Sequence, residues 1–190
     1  MAEVLSPLRS KLSPGHQGAV GATGVTLGNR TVGSLWQIAG WAAFEAAATP
    51  VAQHFGLTGI GGYRAAQQSD SATSWRIAPD RLLLEGTGDL TGFGSDALVT
   101  LDLSHAKTVI TLSGPAARDL LAQVVAIDTA EGVFSPGEFV QTGIHHVAVL
   151  IHCTGGDAFD ILVPVTWAET VWEVLLTNAR PHGVAIEGAP

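Results

Sequence analysis

The chain has 190 residues and a mass of 19.6 kDa, enough to bury one core of ordinary size and too little for a large multidomain enzyme. Nine Lys and Arg side chains against seventeen Asp and Glu side chains give a net charge of −8, which excludes the basic surface that nucleic acids and anionic lipids require. Cys153 is the only cysteine, and the first fifteen residues lack the apolar core of a signal peptide. We therefore expect a cytoplasmic protein.

The surface composition points to a partner. Only 14% of the residues are charged, against about 25% in a typical soluble domain, and the mean hydropathy is +0.31. Residues 46–63 and 139–156 carry no charged side chain, yet glycines and polar residues interrupt both before about 20 apolar residues accumulate. We expect no membrane span and an apolar surface buried against other subunits. The alternative is an ordinary monomer rich in Gly and Ala.

The N-terminal half predicts an arm followed by a strand and a helix. Residues 1–31 contain many prolines and glycines and no sustained hydrophobic period, which predicts an extended arm. Residues 32–190 are predicted to form a single domain. Apolar alternation predicts a strand over 32–41. The Ala-rich stretch 42–55 predicts a helix that Pro50 kinks or restarts and that Gly56 ends.

The remaining elements alternate between strands and helices. A turn at 78–80 predicts a hairpin, and the strands, helices and turns that follow are typical of an α+β fold in which helices pack on an antiparallel sheet. The predicted elements are strands over 74–77, 81–85, 97–103, 106–112, 139–153 and 157–165, and helices over 116–125 and 167–178.

The last predicted helix supplies the candidate subunit contacts. Thr166 and Glu169 have the spacing of a capping box, which predicts that the helix begins at Trp167. Its apolar arc is wider than a helix on a single sheet needs, and the excess would pack on a partner. The candidate contact residues are Trp167, Val171, Trp172 and Leu176.

Residues that bind metals or cofactors are present without the required geometry. In one strand, His145 and His146 face opposite ways, and His146 lies about 20 Å from His152, too far to share an ion with ligand bonds near 2 Å. The glycine run 59–64 ends in Arg64 where a dinucleotide-binding turn needs its last glycine. We predict no metal-ligating and no cofactor-binding residue in this chain.

Catalytic arrangements are equally unsupported. Asp102, Ser104 and His105 are adjacent at a strand end, where a turn is the simpler interpretation than a nucleophile with its base. Asp157 and Asp160 flank a hairpin and would solvate an edge. We predict no catalytic residue.

Several segments, in order, carry a family resemblance that covers almost the whole chain. They are PLRSKL with GVTLGNRTVGSLWQIAGW, then SWRIAPDRLLLEG, then LDLSHAKTVITLSGPAARDLLAQVVAIDT, and finally FDILVPVTWAETVWEVLLTNA. Residues 113–119 with Ile127 and Asp128 are the most specific part. Together these segments resemble the gamma subunit of heterotetrameric sarcosine oxidase.

The resemblance implies a fold similar to part of the folate-binding domain of aminomethyltransferases. It also implies a small non-catalytic subunit that stabilises an assembly with alpha, beta and delta subunits. That oxidoreductase demethylates sarcosine to glycine, forms hydrogen peroxide and passes the one-carbon unit to tetrahydrofolate. FAD, FMN, NAD and zinc would belong to the partner subunits.

Two alternatives from other classes stay open. One is a free-standing, folate-dependent aminomethyltransferase-like protein, including tRNA-modifying members of that superfamily. Against it, the chain is about half their usual length and lacks the segment K-G-C-Y-x-G-Q-E. The other alternative is a stand-alone structural or binding module.

Overall fold

A computed structural model describes residues 6–21, 23–88, 90 and 92–188. Its strands are β1 (Gly15–Gln17), β2 (Val25–Arg30), β3 (Ser34–Gly40), β4 (Gln67–Gln68), β5 (Ala72–Ala78), β6 (Arg81–Gly86), β7 (Leu98–Asp102), β8 (Lys107–Ser113), β9 (Phe139–Ile144), β10 (Val147–Gly155), β11 (Ala158–Pro164) and β12 (Val184–Ile186). Its α-helices are α1 (Phe44–His54), α2 (Ala117–Val124) and α3 (Ala168–Ala179).

The chain divides into two compact units. The first unit combines the described residues of 1–31 with 106–136 and those from 140 onward, and the second combines 32–105 with 137–139. The sequence predicted an arm over 1–31 and one domain over 32–190, and the structure differs. The reason is pairing: β2 lies between β12 and β8 in a sheet, so part of the predicted arm is an internal strand of the first unit.

A seven-stranded sheet with the order β1, β12, β2, β8, β11, β10, β9 forms the first unit. The pairs of β8 with β2 and β11 are antiparallel, as is that of β10 with β11, whereas β2 and β12 are parallel. In β2, β8, β10, β11 and β12, apolar residues at alternate positions place one side of the strand in a shared core. Helices α2 and α3 contact each other and belong to that core.

A five-stranded antiparallel sheet with the order β4, β5, β6, β3, β7 forms the second unit. Ile38, Leu82 and Leu84 are fully buried in its core with apolar residues of α1. Helix α1 continues through Pro50, and Gly56, with φ of 73°, follows its end.

The structure confirms the α+β class and both predicted hairpins. Strands β5 and β6 pair across the turn at 79–80, and β10 pairs with β11 across the glycine turn. Within the described residues, no helix has the length and apolar character needed to cross a bilayer.

The prediction of one continuous strand over 139–153 is wrong. His145 and His146 have φ of 45° and 71°, and they form the turn between β9 and β10. Two consecutive residues with positive φ are typical of the tight turns that join antiparallel strands with the natural twist. The apolar pattern continues on both sides of this turn, so hydropathy alone does not reveal it.

Candidate functional site

The four candidate contact residues lie at α3, and only one of them is accessible. Trp167 is 51% exposed, whereas Val171 and Trp172 are fully buried and Leu176 is 6% exposed. The three buried residues belong to the core of the first unit. The prediction that they form a surface for another subunit is therefore corrected, and Trp167 is the accessible member of the set.

The N-terminal segment explains why the wide apolar arc of α3 is hidden. Leu8 and Leu12 are buried in the same core as Trp172. Between them, Lys11 Nζ lies 2.8 Å from Glu173 Oε1 and 4.0 Å from Glu169 Oε2. These ion pairs place the segment against α3, so this chain itself supplies the apolar partner that the sequence assigned to another subunit.

The start of α3 also differs from the prediction. A 3-10 turn over Val165–Trp167 precedes the helix, Trp167 occupies the N-cap position, and no side chain caps it. Glu169 instead lies near Lys11. The capping box is wrong because the 3-10 turn shifts Thr166 out of the cap position.

The junction between β8 and α2 depends on Gly114. Gly114 has φ of 114°, and a Cβ there would lie 2.6 Å from the carbonyl oxygen of Gly24. The Ala116 N–H donates to that same carbonyl at 2.9 Å, and the Gly114 N–H donates to the Asp157 carbonyl. The most specific segment of the family resemblance is therefore a close backbone contact that only glycine permits.

Arg118, from the same segment, joins three parts of the first unit. Its Nε donates to Asp157 Oδ1 at 3.0 Å, and its Nη atoms donate to the carbonyls of Thr129, Phe134 and Gly156. Its side chain is only 13% exposed. Helix α2, the loop after it and the hairpin of β10 and β11 thus share one guanidinium, which makes Arg118 a structural residue.

Asp102 and Ser104 form a turn at the end of β7. Asp102 Oδ1 accepts hydrogen bonds from Ser104 N at 2.8 Å and Ser104 Oγ at 2.6 Å, and Ser104 Oγ accepts one from Leu35 N. The Ser104 hydroxyl, and next its N–H, hold the pKa of Asp102 below its ordinary value because they stabilise the carboxylate. The predicted turn is confirmed, and the Ser104 hydroxyl is held in it as a hydrogen-bond donor to the Asp102 carboxylate.

The histidines and the cysteine do not converge. Cys153 is buried in the core of the first unit and donates to the Gly155 carbonyl at 2.9 Å. His152, its neighbour, lies opposite Asp160 in the register of β10 and β11 and is 2% exposed. Among the residues that the structure describes, no three His, Cys, Asp or Glu side chains are grouped to hold a metal ion.

The two carboxylates of the last hairpin are ion-paired, which corrects their assignment to a solvated edge. Asp157 pairs with Arg118, and Asp160 Oδ2 accepts from Arg30 Nε at 2.7 Å with 14% of its side chain exposed. The assignment failed because β11 lies between β8 and β10, so Asp160 is inside a sheet and not at its edge.

An accessible apolar surface lies instead on β7, at one end of the five-stranded sheet. Val99 is 50% exposed and Leu101 is 51% exposed, and the pleat places them on one face with Gln37 and Ala39 of β3. Trp41, directly after β3, is 62% exposed. We define Trp41, Val99 and Leu101 as the β7 patch.

The sequence pattern predicted β7 as a strand and did not single it out as a candidate contact. A detectable signal was present, because no Lys or Arg occurs between Arg81 and Lys107 and no Pro occurs in 98–102. Natural edge strands usually carry such residues to prevent pairing with other chains.

The fold defines a class of α+β proteins that combine a seven-stranded and a five-stranded sheet with helices packed on them. The chain shares this fold with a chain of the heterotetrameric sarcosine oxidase from Corynebacterium sp. U-96, solved in complex with pyrrole 2-carboxylate. The TM-score is 0.79 at 20% identity, over 94% of this chain and 96% of that chain.

A second solved structure with this fold is aminomethyltransferase T of the glycine cleavage system from Bartonella henselae. The TM-score is 0.60 at 17% identity, over 87% of this chain and 48% of that chain. This chain thus matches about half of that protein. No protein-family model and no curated protein sequence matches the chain.

Proposed function

We propose that this chain is the small, non-catalytic subunit of a heterotetrameric oxidase of the sarcosine oxidase type, corresponding to its gamma subunit. Its partners are the alpha, beta and delta subunits, which carry FAD, FMN, NAD and zinc. The assembly oxidises sarcosine or a related secondary amine in the cytoplasm, forms hydrogen peroxide and delivers the one-carbon unit to tetrahydrofolate. This chain stabilises the assembly and contributes no catalytic residue.

The observation that carries the proposal is the correspondence of whole chains. The likeness to the sarcosine oxidase chain extends over 96% of that chain, whereas the likeness to aminomethyltransferase T extends over 48%. The TM-score is also higher for the sarcosine oxidase chain, 0.79 against 0.60, which supports a subunit of that kind over an aminomethyltransferase-like protein. At these identities the likeness concerns the fold, so the activity itself needs a direct test.

Accessible apolar side chains support a partner. Besides the β7 patch, Trp167 is half-exposed next to α3, and burying large aromatic side chains is the main energetic contribution at many interfaces. Asp102 and Ser104 also support a structural role, because they form hydrogen bonds with each other and with the backbone.

The test is purification of the tagged chain from its source organism. We expect a stable complex of several chains that contains flavin and produces hydrogen peroxide when sarcosine is added. The chain expressed alone should show neither flavin absorbance nor peroxide formation. A monomer that turns over a small molecule by itself would contradict the proposal.

The same preparation separates the remaining candidates. A free-standing aminomethyltransferase-like protein would bind tetrahydrofolate as an isolated chain, which calorimetry measures directly. A stand-alone module would form no flavin-containing complex and would not bind tetrahydrofolate.

The Trp167→Lys variant tests whether Trp167 contacts a partner, and Val20→Lys is the matched exposed control. Only Trp167→Lys should reduce the yield of the complex.

A further inference from the structure

The open edge of β7 has the backbone groups of Thr100 available for another strand. β7 is the last strand of the five-stranded sheet, and among the described residues no strand pairs with its second edge. The N–H of Leu103 donates to the Leu35 carbonyl, so odd-numbered residues of this strand bond to β3. Because bonding alternates along an antiparallel pair, the N–H and C=O of Thr100 face away from β3.

Three further hydrogen bonds support this assignment. The N–H and C=O of Leu98, two residues from Thr100, bond to Ser95 and not to β3. The Gly40 N–H bonds to the Asp80 carbonyl, which assigns the even residues of β3 to the β6 side and the odd residues to the β7 side. Thr100 therefore presents a free donor and acceptor pair next to the β7 patch.

This edge lacks the features by which proteins protect exposed strands. Its residues include no Lys and no Pro, its one charged residue, Asp102, is exposed at the end of the strand, and β7 pairs with β3 in one continuous register without a bulge. Helix α1 contacts β7, whereas Val99 and Leu101 remain half-exposed on the face shared with Gln37 and Ala39. An apolar, unprotected edge of this kind is a template for pairing with another chain.

Charge indicates which chain pairs there. Asp96 precedes β7 and Asp102 ends it, both are exposed, and the nearest basic residues in sequence are Arg81 and Lys107. An antiparallel second copy centred on Thr100 would place Asp102 of each copy opposite Leu98 of the other, beside the turn that contains Asp96, and like charges brought close together are destabilising. A strand with apolar residues between Lys or Arg side chains is complementary to the edge.

We propose that β7 is a docking edge for a strand of a partner protein, which adds to the five-stranded sheet, covers the β7 patch and places basic side chains near Asp96 and Asp102. The inference rests on the proposed function, and it specifies the surface of this chain that a larger subunit contacts. Main-chain bonds at Thr100 would supply affinity, and the apolar side chains would fix the register.

The test uses the assembly purified through a tag on this chain, compared with the chain alone. Hydrogen exchange should slow at the Thr100 amide in the assembly, because strand addition gives that amide an acceptor. An apolar contact without strand addition would leave the exchange rate of Thr100 unchanged, and that result would overturn the proposal.

Variants separate the backbone from the side chains. Thr100→Pro removes the outward N–H, whereas Thr100→Val keeps it and serves as the matched control. Val99→Lys with Leu101→Lys should reduce the yield of the assembly by roughly tenfold or more, while Val133→Lys, on another half-exposed apolar residue, should leave it within about twofold. Circular dichroism of each isolated variant confirms that it has folded.

Charge reversal tests the nature of the partner. Asp96→Lys should weaken association and reduce its dependence on salt, whereas Asp70→Lys, at an exposed residue of the same unit, should do neither. Stronger binding of Asp96→Lys would refute a basic partner. A second copy of this chain bound at the β7 edge would refute docking of a different protein there.

The failures of the two proposals are distinguishable. A wild-type assembly with flavin and sarcosine-dependent peroxide formation, undisturbed by the β7 variants, overturns the docking edge and leaves the proposed function standing. An assembly without flavin that the β7 variants disrupt, with Thr100 protected, overturns the proposed function and supports the edge. A chain that remains a monomer overturns both.

Discussion

Lys11 and Glu173 form an ion pair at 2.8 Å although 162 positions separate them in the sequence. The pair brings the segment that contains Leu8 and Leu12 against α3, and it explains how a helix with a wide apolar arc is buried within its own unit. The exposed ion pair sets the position of the segment, and the leucines account for most of its stabilising energy.

Leu8→Ala should therefore destabilise the protein much more than Lys11→Ala. Leu8 is fully buried, and we expect its truncation to lower the free energy of unfolding by about 2 to 5 kcal/mol. The ion pairs of Lys11 are exposed and screened by solvent, so its removal should cost much less than that of Leu8. Urea unfolding of both variants measures the difference, and equal costs would show that the segment does not pack as described.

Trp172 should tolerate Phe better than its burial suggests. Its side chain is fully buried, and its Nε1 has no hydrogen-bond partner among the described residues. Trp172→Phe removes this unsatisfied N–H and should cost less than about 2 kcal/mol, whereas Trp172→Ala should cost about 3 to 5 kcal/mol. Thermal unfolding compares them, and equal losses would argue against an unpaired indole.

The burial of Trp172 also determines the expected effect of Trp172→Asp. A charge at this position would be enclosed in the core of the first unit, so the chain itself should fail to fold. A folded Trp172→Asp chain that only loses its partner would restore the original assignment of this residue to a subunit contact. Circular dichroism and gel filtration distinguish the two results.

Arg118→Met should be one of the most damaging single changes in the first unit. It leaves the carbonyls of Thr129, Phe134 and Gly156 without the guanidinium, and we expect a loss of about 3 kcal/mol or more. Arg81→Met is the matched control, because its contact to Asp80 is long and exposed and should contribute less than about 1 kcal/mol. Denaturant midpoints that coincide would contradict the central role of Arg118.

The turn at the end of β7 predicts a pH dependence. The pKa of Asp102 lies below its ordinary value of about 3.9 in the folded chain, because Ser104 donates to the carboxylate. The folded state thus favours the charged form, so this contribution to stability is complete above the ordinary pKa and is lost as pH falls through the lowered one. Ser104→Ala should raise the pKa of Asp102 toward its ordinary value.

Carboxyl-carbon NMR titration measures this pKa directly, and Ser104→Thr is the control that keeps the hydroxyl. Ser104→Ala also removes the acceptor for the Leu35 N–H, which adds a loss of stability that does not vary with pH. The variant and the wild type therefore differ in their free energy of unfolding for two reasons. The contribution of Asp102 is the part of this difference that becomes smaller as the pH is lowered. An unchanged Asp102 pKa in Ser104→Ala would show that another group lowers it.

The sequence by itself determined the α+β class, the two hairpins and the turn at Asp102 and Ser104. These features depend on neighbouring residues: period-2 alternation, turn residues at 79–80 and 155–156, and a carboxylate two positions from its donor. The tight turn at His145 and His146 was missed because its residue types carry no strong turn preference.

Only the tertiary structure decided which apolar surfaces remain accessible. The arc of α3 and the face of β7 have similar apolar character in the sequence, yet the segment around Lys11 covers α3 while Val99 and Leu101 stay half-exposed. Burial depends on contacts between residues far apart in the chain, such as Lys11 with Glu173. Hydropathy shows only that a side chain is apolar and is more stable when buried. Which part of the chain supplies that cover is set by strand order and packing.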